Sequence, residues 1–192
     1  MRTPTRCYRI AVVLLGVAAT TVAQPPPAEA ANRELRVGSF AIEHTLVLPG
    51  SPEAIYDALS GDISGWWDHT FSEKPAKFYL EAKPGGGFWE IFDASGDGVK
   101  HAEVIFAQRG KLLRFDGPLG LSGHAVKMVA TYALEPAGAD STRLEFSAHA
   151  SGEFEDSWPA TVDGVWRHFL FERFKPYVEA GKRREAEPHG KH

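Results

Sequence analysis

The sequence predicts an α+β domain in which a curved antiparallel sheet of about six or seven strands wraps one long C-terminal helix, with two short helices after the first strand. Three observations carry this. Short runs of alternating apolar residues, separated by Gly-, Pro- and Asp-rich turns, fill residues 35–150. A single long stretch, 159–179, switches to apolar spacings of three and four. Between the first strand and the rest, Pro49-Gly50-Ser51-Pro52-Glu53 stops a strand and starts a helix.

The amino terminus reads as an export signal. Residues 1–9 are basic, residues 10–23 (IAVVLLGVAATTVA) are apolar or small, and Thr21-Val22-Ala23 offers a small-x-small cleavage site before Gln24. That apolar stretch reaches about 21 Å as a helix, short of a roughly 30 Å hydrocarbon core, so no stable membrane insertion is expected after cleavage. Residues 1–23 are therefore assigned to a signal peptide, 24–34 to a flexible Pro/Ala-rich spacer, 35–180 to the folded domain and 181–192 to a disordered polar tail. The expected location is periplasmic or secreted. The sole cysteine, Cys7, leaves with the signal, which excludes disulfides and thiolate chemistry from the mature chain. Removing Arg2, Arg6 and Arg9 leaves 18 basic and 25 acidic residues, a net charge of −7 that argues against nucleic-acid binding.

In the first strand Phe40, Ile42, Leu46 and Leu48 share one parity. Ser51 then caps a helix, Pro52 suits its first position, and Ile55, Tyr56 and Leu59 form its apolar side until Gly61. A second helical piece carries Ile63, Trp66 and Trp67. Strands follow at Lys77–Ala82, Phe88–Phe92, Val99–Ala107, Lys111–Phe115, Ala125–Leu134 and Thr142–Ala150, with Ser95-Gly96-Asp97-Gly98 as the clearest hairpin turn. In the last strand Leu144, Phe146, Ala148 and Ala150 face inward and Arg143, Glu145, Ser147 and His149 face solvent. The terminal helix presents Val162, Val165, Trp166, Phe169, Leu170, Phe174, Tyr177 and Val178 on one stripe. Pro176 should kink or weaken its last turn, and Gly181 is a fitting C-terminal cap. A sheet with one polar face, crossed by one helix of about 30 Å, leaves room for a ligand pocket between them.

The P-x-S-P-E-x-I-Y-D-A-L segment, the Trp66-Trp67 pair, the Gly85–Phe88 turn, the GKLLRFDGPLG stretch and the W-R-H-F-L of the terminal helix resemble the START-like (SRPBCC) superfamily. Within it the chain is similar to the group related to the activator of the Hsp90 ATPase, often called polyketide cyclase/dehydrase-like. The resemblance covers about residues 36–180. It implies a helix-grip fold with a hydrophobic cavity between sheet and C-terminal helix, used in that superfamily for lipids, polyketides, aromatic hydrocarbons or hormones. Some members are co-chaperone modules, a role from which the export signal departs.

The candidate pocket residues are Trp66, Trp67, Trp89, Val126, Met128, Tyr132, Phe146, Trp166 and Phe169, chosen for aromatic area or inward parity. Trp166 is expected to line or plug the cavity floor. His101 and Glu103, on one parity with Val99 and Ile105, together with His44 and His124, are the candidates for proton transfer should they converge; residues i and i+2 on a strand lie about 6.6 Å apart, so nothing local brings them together. Asp68 and His69 follow the tryptophan pair and fall near a cavity entrance, as cap or surface groups or as partners for a polar headgroup. No phosphate loop, metalloprotease motif or nucleophile elbow is present, and no cofactor or metal is expected. The expected function is an exported binding or carrier domain for a small hydrophobic molecule. The alternatives are a cyclase-, dehydratase- or hydrolase-type enzyme using the same cavity, or a protein-interaction module with a filled core.

Overall fold

Alternation in the first strand, β1 (Val37–Pro49), fixes its face: Ile42, Leu46 and Leu48 are buried, while Ala41, Glu43, Thr45 and Val47 are exposed. The structure, a computed structural model, describes residues 34–181. The assigned signal peptide, the spacer up to residue 33 and the tail beyond Gly181 lie outside the described residues.

After β1 come α1 (Pro52–Ala58), β2 (Gly61–Asp62), β3 (Lys77–Leu80), β4 (Gly87–Ile91), β5 (Gly98–Gln108), β6 (Leu112–Gly117), β7 (Val126–Pro136) and β8 (Ser141–Glu153). The chain then becomes helical from Trp158 to Glu179. All pairings are antiparallel, in the order β1-β8-β7-β6-β5-β4-β3-β2. β1 returns to pair with β8 along its whole length, from Val37 opposite Glu153 to Pro49 opposite Ser141. The sheet is thus of eight strands, counting the two-residue β2.

α1 starts as its sequence dictates: Ser51 Oγ accepts the Ala54 N–H at 3.3 Å, Pro52 opens the helix and Glu53 lies in its first turn. After β2 the chain makes one helical turn, with Trp66 and Trp67 both donating backbone N–H to the Ile63 carbonyl. The inner sheet face and the helices share one core that includes Leu48, Ile55, Leu59, Phe88, Phe115, Tyr132, Phe146 and Phe174.

Two features depart from simple periodicity. In β5 the register against β4 slips between Phe88 and Trp89, which face Ala102 and Lys100, so His101 is a surplus residue. A second slip against β6 leaves Ile105 surplus. These bulges break the expected parity: His101, Ala102 and Val104 are buried, while Glu103, Ile105 and Phe106 are exposed. The shared face expected for Val99, His101, Glu103 and Ile105 therefore does not exist.

The terminal helix is α-helical over α2 (Trp158–Arg167), π-helical over His168–Phe174, and α-helical again over α3 (Lys175–Glu179). Pro176 supplies a reason for the wide turn. In an α-helix its ring would strike the carbonyl four residues earlier, that of Glu172, and the π register moves that carbonyl away. The buried stripe survives the change: Trp166, Phe169, Leu170, Phe174 and Val178 all face the sheet. Gly181, at φ +66°, ends the helix in the left-handed conformation.

Candidate functional site: an aromatic cavity under the terminal helix

The strands and helix stand far enough apart to leave a cavity of about 290 Å³. Val162, Val165, Trp166 and Phe169 form its helix wall, and Phe88, His101 and Met128 its sheet wall. Trp67, His69, Thr70 and Phe71, from the segment after β2, close one side; Pro118 to Leu121, from the loop after β6, close another. Aromatic contacts set the shape. Trp67 stacks on Phe169 with ring centres 3.8 Å apart and meets Phe88 edge-on at 5.0 Å. Trp166 lies 4.2 Å from Phe146, which backs it from the sheet side.

One buried polar pair meets this apolar wall, with His101 in the lining and Glu90 bonded to it from outside the lining. Glu90, 0% exposed, shares the inward parity of Phe88 on β4. Burial alone would raise its pKa. Hydrogen bonds from the Phe71 and Ser72 amides (3.0 and 2.8 Å), the Ser72 hydroxyl (2.9 Å) and His101 Nε2 (3.1 Å) outweigh burial and hold the carboxyl below its usual range. Because an ionised carboxylate only accepts, His101 Nε2 carries the proton on that bond. The His101 ring is packed by Phe71, Phe78 and Phe88. Burial lowers its pKa, against opposing pulls from Glu90 and from the backbone of Leu119. Leu119 itself is buried at φ +50°, a strained conformation for a side chain with a Cβ, so the loop that closes the cavity is held by packing and by this contact.

At the rim a second polar cluster joins the segment after β2 to the terminal helix. Asp68 Oδ1 lies 3.0 Å from His69 Nδ1, and Asp68 Oδ2 lies 2.9 Å from His168 Nε2 and 3.1 Å from Arg173 Nε. His168 Nδ1 reaches Glu172 Oε2 at 3.0 Å. Partial burial works to raise the Asp68 pKa, but the two histidines and Arg173 hold it below the ordinary value. His168 is raised, chiefly by its hydrogen bonds to Glu172 and Asp68.

Of the residues singled out by sequence, Trp67, Met128, Trp166 and Phe169 line the cavity, as does His101. Tyr132 and Phe146 lie behind Trp166 in the core. Trp66 is buried on the far side of Trp67, packing on Phe174 at 4.8 Å and donating its indole N–H to the Ala58 carbonyl. Val126 is half-buried at the core's edge, and Trp89 is half-buried with its indole N–H on Glu81. The four groups considered for proton transfer do not come together. Glu103 pairs with Lys100, and His124 with Glu153. His44 sits between Phe146 and Phe171, with Nε2 3.0 Å from Asp163 Oδ1 but without hydrogen-bond alignment.

Glu90 is the functional-site residue that sequence reasoning missed. Its signal was present: it is the one charged residue on the inward parity of the run Phe88–Phe92. Val162 and Val165 were visible on the helix stripe, but nothing in the spacing marked them as cavity wall. Leu119 had no signal, because its conformation is imposed by the surrounding packing.

No protein-family model matches the chain, and no curated protein matches it in sequence. Solved structures do. The chain is similar to SA2116 from Staphylococcus aureus, a protein of unknown function, with a TM-score of 0.58 at 12% identity, covering 76% of this chain and 97% of that one. It is similar to EF2215 from Enterococcus faecalis, also of unknown function, with a TM-score of 0.54 at 14% identity, covering 83% and 82%. Against the Aha1 dimer from Colwellia psychrerythraea the TM-score is 0.50 at 22% identity, covering 74% and 98%. At such identities these likenesses show the fold alone: an antiparallel sheet packed against a long C-terminal helix, the helix-grip arrangement.

Proposed function

We propose that this chain is an exported binding or carrier domain for a small hydrophobic molecule, held between the sheet and the terminal helix. The observation that carries the reading is the open space itself. Its walls are aliphatic and aromatic, and polar groups enter only through His101 and the rim residues His69, Thr70 and Thr161. At about 290 Å³ the space falls just below the roughly 300–1,000 Å³ typical of ligand sites. That size suits a mono- or bicyclic aromatic compound or a short acyl chain. Burying such a guest is worth about 25 cal/mol per Å² of apolar surface before the costs of association. The interaction-module alternative requires a filled interior, which this cavity disfavours. Export is part of the proposal and rests on the basic-apolar-small pattern of residues 1–23.

His101 supports a second reading. A buried imidazole oriented by a carboxylate and facing an apolar pocket is a pattern used in acid–base catalysis, so an enzyme acting on the same guest is the alternative.

Native mass spectrometry of the mildly purified mature chain, with displacement of a fluorescent fatty acid and of an aminonaphthalene dye, tests the proposal. A co-purifying apolar molecule, or saturable uptake of either probe, is expected. The absence of both results in a folded sample would overturn both readings.

A further inference from the structure

We propose that Asp68, His69 and His168 form a binding site for one divalent transition-metal ion of the zinc class at the cavity rim. One ligand atom from each of the three lies within 4.8 Å of the others. Two of the separations, from Asp68 Oδ1 to His168 Nε2 and from Asp68 Oδ1 to His69 Nδ1, are 3.0 Å each, those of groups able to share one small cation. A zinc tetrahedron with bonds of 2.0–2.1 Å has edges of about 3.4 Å. Rotation of the exposed His69 ring closes the remaining gap. Two imidazoles and one carboxylate suit zinc, cobalt or nickel better than calcium or magnesium, which prefer all-oxygen shells.

Two further observations point the same way. His168 turns Nε2 toward Asp68 and gives Nδ1 to Glu172 Oε2 at 3.0 Å, the carboxylate–histidine arrangement that orients imidazoles on metals. His168 is also the first residue of the π-helical segment, which holds Glu172 and Arg173 as well, and such wide turns concentrate at functional sites. In the metal-free protein both His168 nitrogens face carboxylates, so the ion takes the place of the Nε2 proton. Arg173 is the competing cation, 3.1 Å from Asp68 Oδ2; Asp68 keeps Oδ1 for the ion. The site is independent of what the cavity holds. Since His69 also lines the cavity, an ion here lies beside the exposed end of a guest.

The test is calorimetric titration of the mature chain with zinc, with cobalt(II) absorption as a second readout. One ion per chain and a visible band of four- or five-coordinate cobalt are expected. H168Q and D68N should abolish both signals, and E172Q should weaken zinc about tenfold by loosening His168. R173Q should bind more tightly than wild type, and H124Q, at a surface pair elsewhere, should match wild type. The proposal is overturned by the absence of zinc binding to a folded wild-type sample, or by loss of binding in R173Q. It is equally overturned by binding that survives H168Q and D68N, which would put the ion elsewhere, for instance on His189 and His192 of the tail. Circular dichroism of each variant separates lost ligands from lost fold.

Discussion

Glu90 Oε2 lies 3.1 Å from His101 Nε2, and the two meet because the bulge in β5 turns His101 toward the core. The same carboxylate holds the Phe71 and Ser72 amides. One buried acid therefore fixes both the sheet wall of the cavity and the segment that closes its side.

Replacing that acid should loosen the closing segment before it unfolds the sheet. Glu90→Ala leaves two backbone amides, a hydroxyl and an imidazole without their acceptor. Stranded buried donors cost about 1–3 kcal/mol each, partly relieved by water entering the gap, so a net loss of about 3 kcal/mol is expected. Urea unfolding measures it, and hydrogen exchange at Phe71 and Ser72 should accelerate beyond the global change. Equal acceleration everywhere would count against the anchoring role.

Acid should destabilise the fold through this pair. Burial depresses His101 in the folded state below its ordinary 6.5, so the unfolded chain binds that proton more readily. The contribution of His101 is full above about pH 6.5 and is lost as pH falls toward the folded-state value. Glu90, depressed below its ordinary 4.5, acts in the same direction at lower pH. Urea-derived stabilities of wild type and H101F, compared from pH 8 to 5, should converge as pH falls. Parallel curves would exclude the buried histidine as the cause.

Filling the cavity should remove uptake without removing the fold. Val165→Trp projects a large ring from the helix wall into the space between Phe88 and Met128. Probe affinity should fall at least about tenfold, with a stability change of about 1–3 kcal/mol or less. Retained affinity would place the probe outside this cavity.

Trp67 should report occupancy. Its ring stacks on Phe169 at 3.8 Å and forms part of the lining, so a guest must change its surroundings. Tryptophan emission should shift on addition of a non-absorbing fatty acid, and W67F should lose most of that shift. An undiminished shift in W67F would assign the signal to Trp166, the other tryptophan in the lining.

Strand parity and helix spacing made most of this architecture legible. The alternation of β1 and β8 and the stripe from Trp166 to Val178 each predict a face, and the structure keeps each face. The capping of α1 by Ser51 was equally visible, because it depends on neighbours three residues apart. What sequence could not show was where a strand slips. The bulges at His101 and Ile105 are settled by pairing with β4 and β6, and they reverse which residues of β5 point inward. The division of the aromatics was hidden for a similar reason. Trp66 and Trp67 are adjacent and alike, yet one bonds the Ala58 carbonyl in the core and the other walls the cavity, a difference set by a single turn after β2.

The widened coil between His168 and Phe174 houses one surplus residue inside a helix. Each α-helical residue advances the chain by about 100°, so deleting one residue from α2 would swing Phe174 and Val178 off the sheet. Deleting one from within the widened coil would instead keep both anchors in phase, but it would return Pro176 to an ordinary spiral in which its ring meets the carbonyl four residues earlier. The widened coil thus accommodates the proline while Phe174 and Val178 keep their hold on the sheet, and the same seven residues carry His168, Glu172 and Arg173 to the mouth of the cavity.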